Sequence, residues 1–175
     1  MANKFAMLGG KFCAKAALLV LCTAALPGAL RASNNCPWLT EATAGGLLGG
    51  DVLGAFTKGA AGQPAVCLFN SDAQGVRRTL RITVDIVADP HVQVTTEAKS
   101  CGADAAPLRA IGNEALACAA DDRRAGPGER AIGRVRDQVF TITLSSSQKG
   151  DPFLTRDALR SKIYTAAEQV AGNLF

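Results

Sequence analysis

Histidine is nearly absent from this chain of 175 residues: His91 is the only one. A serine or cysteine nucleophile served by an imidazole base therefore has one candidate partner. Tryptophan and tyrosine occur once each, too few for a platform that stacks bases or sugars. No Gly-x-Ser-x-Gly occurs, and no Gly-Lys-Ser/Thr or Gly-x-Gly-x-x-Gly follows a strand-like segment. The glycines of GGLLGGDVLG thus read as helix ends and turns rather than as a phosphate loop. Internal repeats and low-complexity runs are missing as well.

The longest uncharged apolar run, Ala16 to Leu30, has 15 residues. That is short of the roughly 20 a helix needs to cross a bilayer. It follows Lys4, Lys11 and Lys15 and breaks at Pro27-Gly28, the pattern of a secretory signal with cleavage expected after Ala32. A retained N-terminal anchor is the competing reading. Lys and Arg number 19 against 15 Asp and Glu, and four of the basic residues, Lys4, Lys11, Lys15 and Arg31, precede Ser33. Residues 33–175 are therefore formally neutral, without the cationic surplus a nucleic-acid binder uses to displace counterions. The division is a signal peptide over 1–32 and one domain over 33–175, long enough to bury about two thirds of its unfolded surface.

Cys13 and Cys22 fall in the signal segment, which leaves Cys36, Cys67, Cys101 and Cys118. An even number in an exported chain points to two disulfides, with three possible connectivities. We favour Cys36 with Cys67 and Cys101 with Cys118, each closing a loop of moderate length and stapling neighbouring elements, for about 3 kcal/mol apiece in the chain-entropy description. Zinc is disfavoured because Cys101 and Cys118, the nearest pair, are 17 residues apart. Neither Cys36, after Asn35, nor Cys22, after Leu21, has the small preceding residue of a lipidation signal. The sequence implies no metal and no cofactor.

Thr40 as N-cap, Glu41 in the first turn, a staple between Leu39 and Ala44, and Gly49-Gly50 at the end predict a helix over Thr40 to Leu48. Ala65 to Asn70 reads as a short apolar strand. Leu80, Ile82, Val84 and Ile86 alternate with Thr79, Arg81, Thr83 and Asp85, a strand with one face on the core. Asp89 before Pro90 caps a helix over Pro90 to Ser100 that Gly102 ends. LRAIGNEALACA reads as one strand bent at Gly112-Asn113, DDRRAGPGE as a polar loop, and RAIGRVRDQVFTITLSS as a hairpin turning near Arg136-Asp137. From Thr155 onward, Leu159, Ile163, Ala166, Val170 and Leu174 recur at helical spacing. The class is α+β: a mainly antiparallel sheet with a short N-terminal helix and a long C-terminal helix packed on it.

CPWLTEATAGGLLGG, then Cys67-Leu68-Phe69, PLRAIGNEALAC, the hairpin RVRDQVFTITL and the closing AAEQVAGNLF together resemble uncharacterised exported and lipoprotein domains of bacterial cell envelopes. Those domains of unknown function are similar to the PsbP-like α/β/α sandwich. The resemblance covers nearly all of 33–175, implies that fold, and brings no catalytic residues. It departs from the family in lacking a lipidation motif.

His91 with Asp89 and Asp85 is the one local acid/base grouping, with Ser100 or Ser145 to Ser147 as imaginable nucleophiles; Asp89 has a competing use as a cap. Arg77 and Arg81, and Arg134 and Arg136, are spaced so that each pair shares a strand face. If those strands are neighbours they form a basic patch for an acidic partner; the plainer alternative is a solvated face balanced by Asp85 and Glu129. The leading expectation is a non-catalytic exported domain, periplasmic or secreted, that binds an envelope protein or a small ligand in a cleft between sheet and helix. It is expected to bind no nucleic acid and to have no stable membrane insertion after signal cleavage. A small hydrolase using His91 is the alternative.

Overall fold

The computed structural model describes residues 35–120 and 126–175. The expected signal segment, its cleavage point and the start of the polar loop after Ala120 lie outside the described residues.

The three α-helices among the described residues begin where side-chain caps satisfy free N–H groups. Thr40 Oγ1 accepts from Thr43 N at 3.2 Å to open α1, Glu41–Leu48. Asp89 Oδ1 accepts from Val92 N at 3.0 Å to open α2, Pro90–Lys99, with Pro90 in its first turn. Thr155 Oγ1 accepts from Ala158 N at 3.3 Å to open α3, Arg156–Gly172. The Thr40 and Asp89 caps are those expected from the sequence, which marked Thr155 only as the start of its helix. Gly49 ends α1 in the left-handed region at φ +77°, with its N–H on Gly45 O at 2.7 Å. A Cβ there would be strained by that backbone and would also run into the Phe153 ring.

Among the described residues, seven strands form one fully antiparallel sheet: β1 Leu53–Thr57, β2 Ala65–Ala73, β3 Val76–Ile86, β4 Ala106–Pro107, β5 Glu114–Ala119, β6 Gly128–Val135 and β7 Gln138–Ser146. Their order is β1-β2-β3-β7-β6-β5-β4. The α+β class and the closing helix are as expected. The register Leu80↔Leu144, Ile82↔Ile142 and Val84↔Phe140 sends these residues to one face, where α1 covers β2 and β3 and α3 covers β5, β6 and β7. The main core lies between, around Phe69, Phe140, Leu48, Leu159 and Ile163. On the opposite face α2 lies on β6 and β7 and closes a smaller core of Val94, Ile132 and Val139. Among the described residues, no helix packs on the back of β1, β2 and β3.

Two strands escape the sequence reading. β1 has no alternating apolar face and β4 is two residues long, so neither shows a period. LRAIGNEALACA is not one bent strand: residues 108–113 turn, and only Glu114–Ala119 is extended. The bend itself is there. Gly112 sits at φ +58°, where a Cβ would meet the Arg134 carbonyl. The outer edge of β1 is partly closed because Gly54 gives its N–H to the Glu41 carboxylate at 3.2 Å.

Arg78 shares the core parity of Leu80 and Ile82, and it is 5% exposed. Its Nε and Nη2 donate to Asp151 Oδ2 and Oδ1 at 2.7 and 2.9 Å, and its Nη1 donates to the Leu48 carbonyl at 3.1 Å, at the end of α1. Asp151 also accepts from Ser146 Oγ at 2.7 Å and from Phe153 N at 2.9 Å. The Phe153 ring lies 4.7 Å from the Arg78 guanidinium and 4.1 Å from Lys162 Nζ, which itself donates to Gly46 O at 3.1 Å. The Arg78 guanidinium, helped by the Ser146 and Phe153 donors, holds the Asp151 carboxyl well below its ordinary value of 3.8 despite its burial. Burial, and then the nearby Arg78 charge, push Lys162 down.

Because Asp151 is more acidic folded than unfolded, its contribution is complete above the unfolded value of 3.8 and is lost as pH falls through the folded one. Asp151→Ala strands a buried cation and is expected to lower the urea unfolding free energy at pH 7 by about 3–5 kcal/mol. The Arg78→Met, Asp151→Leu double variant should regain much of that loss; a double variant as weak as the single one would mean that packing, not the stranded charge, sets the cost.

Candidate functional site

At the end of the sheet where β1 turns into β2, the helical layer stops short and leaves a notch of about 370 Å³. Trp38, Ala65, Val84 and Ile86 form its apolar wall, and Lys58, Gln63 and Gln138 its polar rim. Each is there for a local reason. Trp38 follows Cys36, which is bonded to the fully buried Cys67 of β2. Its ring meets Phe56 edge-on at 5.8 Å, and its carbonyl accepts from Asn173 Nδ2 at 2.9 Å. The loop over the notch turns at Gly62, φ +75°, with Gln63 N donating to Ala60 O at 2.9 Å.

Ile86 ends β3 and is 72% exposed, an aliphatic side chain left at the lip. Strand alternation places Ala65, Val84 and Gln138 on the core side of the sheet and turns the Asp85 side chain to the back. Lys58 is then the charged side chain facing the notch. Among the described residues, the side chains of Lys58, Gln63 and Gln138 have no hydrogen-bond or ion-pair partner. A concave apolar wall with a few unengaged polar groups at the rim is the usual form of a small-molecule site.

The acid/base grouping expected around His91 is not the one that forms. Its Nδ1 lies 2.8 and 3.1 Å from the two carboxylate oxygens of Glu114, not beside Asp89 or Asp85. Asp89 is occupied as the cap of α2, and Asp85 stands on β3, with β7 and β6 between it and Glu114. Glu114 also accepts from Arg134 Nε, its cross-strand neighbour. Burial alone would raise the Glu114 carboxyl; the Arg134 and His91 contacts outweigh it and hold it below its ordinary value. Ser100 is at the far end of α2, about 14 Å along the axis from His91. Ser146 is bonded to Asp151 and Ser147 accepts from Arg77 N at 3.0 Å, toward the opposite end of β7. None of these serines is placed to use His91.

The four arginines are likewise not gathered into a patch. β7 separates β3 from β6. Arg77 pairs with Asp72 at 3.2 Å on the exposed back face, and Arg81 aligns through Thr143 with Arg130 rather than with Arg134. Arg136 is beyond the end of β6, in a turn at φ +56°, with its guanidinium 5.9 Å from the Phe175 ring. Of the expected counter-charges, Glu129 is buried on the core face, 4.0 Å from Arg160. Both disulfides have the favoured connectivity, Cys36–Cys67 and Cys101–Cys118.

Among the described residues no three His, Cys, Asp or Glu side chains are grouped to hold a metal, and no helix is long and apolar enough to cross a membrane. No protein-family model, curated protein or solved structure matches this chain. The notch residues were not singled out from sequence.

Glu114 joins α2 to the sheet through partly exposed groups, so its contribution is small. Glu114→Gln is expected to lower stability by about 0.5–1 kcal/mol at pH 7. The parent's excess should fade as pH drops below about 4.5, since the folded carboxyl is the more acidic one. A gap between the urea midpoints of the two proteins that does not narrow at all from pH 7 to pH 3 would rule out the charged form of Glu114 as the cause.

Proposed function

We propose that the chain is a non-catalytic exported binding domain, periplasmic or secreted, that holds a small amphipathic carboxylate in the notch beside Trp38. Its apolar body rests on Trp38, Ala65 and Val84, its carboxylate takes Lys58, and Gln138 and Gln63 serve remaining polar atoms. The observation that carries this reading is the lysine with no partner among the described residues at the rim of an apolar hollow. A volume of about 370 Å³ lies within the range of small-ligand sites. Export is supported by the basic, apolar N-terminal segment and by two disulfides, which are compatible with an oxidising compartment.

Trp38 is the chain's sole tryptophan, so its emission reports on the notch without a competing signal. Octanoate is expected to shift and saturate that emission, octanol to act more weakly, and octylammonium not at all. Lys58→Ala should weaken octanoate at least about tenfold, the worth of one charge-assisted contact of about 1.5 kcal/mol, with little effect on octanol. Equal responses to all three amphiphiles, or an unaltered affinity in Lys58→Ala, would defeat the assignment and turn attention to an envelope protein as the occupant.

A further inference from the structure

The two disulfides stand in different surroundings. Cys36–Cys67 joins the segment ahead of α1 to β2, with Cys67 fully buried in the main core. No cationic side chain lies within hydrogen-bond reach of its sulfurs among the described residues. Cys101–Cys118 ties the residue just past α2 to β5, with Cys118 buried and Cys101 part-exposed. Arg130 of β6 is directly over it. Its Nη2 lies 3.6 Å from Cys101 Sγ and 3.9 Å from Cys118 Sγ, and also donates to Ser100 Oγ. Its Nη1 is 3.7 Å from Glu97 Oε2, and its Nε is buried with no hydrogen-bond partner.

A guanidinium against two sulfurs does little for a neutral disulfide and much for a thiolate. The departing sulfur of an opening disulfide leaves faster as the conjugate thiol becomes more acidic, and a neighbouring Arg is one of the groups that make it so. We propose that Cys101–Cys118 is a thiol-exchange site, a disulfide opened by an external dithiol, whereas Cys36–Cys67 is structural. One thiolate of the dithiol attacks the accessible Cys101 sulfur. The Cys101–Cys118 bond breaks, and Cys118 leaves as a thiolate beside Arg130. The second thiol of the reductant, deprotonated, then attacks its own sulfur in the mixed disulfide and releases Cys101. The reductant's two thiols become a disulfide, two electrons pass to the protein, and the two protons end on Cys101 and Cys118 or in solvent. The opened form loses the one covalent tie on α2, whose apolar hold on the sheet is a single buried residue, Val94.

The test is native reduction of the full chain with dithiothreitol, quenched at intervals with N-ethylmaleimide and mapped by peptide mass. Cys101 and Cys118 should be labelled at least about tenfold faster than Cys36 and Cys67. Arg130→Gln should slow that opening several-fold and Arg130→Lys much less, with the Cys36–Cys67 rate unmoved in both. Labelling of all four cysteines together, earlier labelling of Cys36 and Cys67, or an Arg130→Gln rate equal to the parent's would each overturn the proposal. Should Arg130→Gln fail to fold, the parent decides alone: anionic mercaptoacetate should open Cys101–Cys118 faster than cationic cysteamine, relative to their rates on Cys36–Cys67. An unchanged or reversed ratio overturns it.

Discussion

The Arg78–Asp151 pair is the contact on which the front layer of this domain depends. A cation placed among Leu80, Ile82 and Phe153 would destabilise the fold heavily if any part of it were left unmet. Here each guanidinium nitrogen has an acceptor: two engage one carboxylate, the third closes the end of α1, and the remaining lone pairs of Asp151 are taken by Ser146 and the Phe153 backbone. One ion pair thereby fixes the relation of β3, α1 and the β7–α3 connection. Phe153 adds to it by filling the space that Gly49 leaves open, with Arg78 and Lys162 both against its ring. The helices over the front of the sheet are thus set by directional contacts as well as by apolar area, which has no direction of its own.

The two faces of the sheet are covered on different terms. In front, α3 buries Leu159, Ile163, Ala166 and Val170, a continuous stripe whose contacts reinforce one another. Behind, α2 is held at its ends, by His91 with Glu114 at the start and by Arg130 and the Cys101–Cys118 bond at the finish. A helix attached in this way can be released without disturbing the main core, because the residues it covers form a separate cluster. The notch lies on the front side, at the end of the sheet that α1 and α3 leave uncovered.

Features written in short-range pattern were legible from the sequence. The caps at Thr40 and Asp89, the alternation of β3 and β7, and the helical stripe of α3 each need only neighbours within a turn or two. The cysteine pairing was legible as a preference because Cys36 and Cys118 each have a partner close along the chain. Features that depend on distant partners were not. Arg78 has the same parity as Leu80 and Ile82, a signal that was available, but its meaning rests on Asp151, 73 residues later. His91 was read with its sequence neighbours, whereas its real partner, Glu114, comes from another strand. The arginine patch failed on strand order, since period-two spacing places a residue on a face and says nothing about which strand lies alongside. The notch draws on four separate stretches of chain, none of which carries a motif that would mark it in advance.

The contact from Glu41 to Gly54 has a bearing on how the domain behaves in a crowded compartment. A sheet whose outer strands offer free N–H and C=O groups can recruit another chain and grow without limit. Here one margin is five residues long with an outward N–H already committed to a carboxylate, and the other is two residues ending in Pro107, which has no N–H to give. The anion at the first margin also repels the carbonyls an incoming strand would bring. A sheet finished in this way is poorly suited to templating, and proteins held at high local concentration can fold beside one another without merging their β-structure.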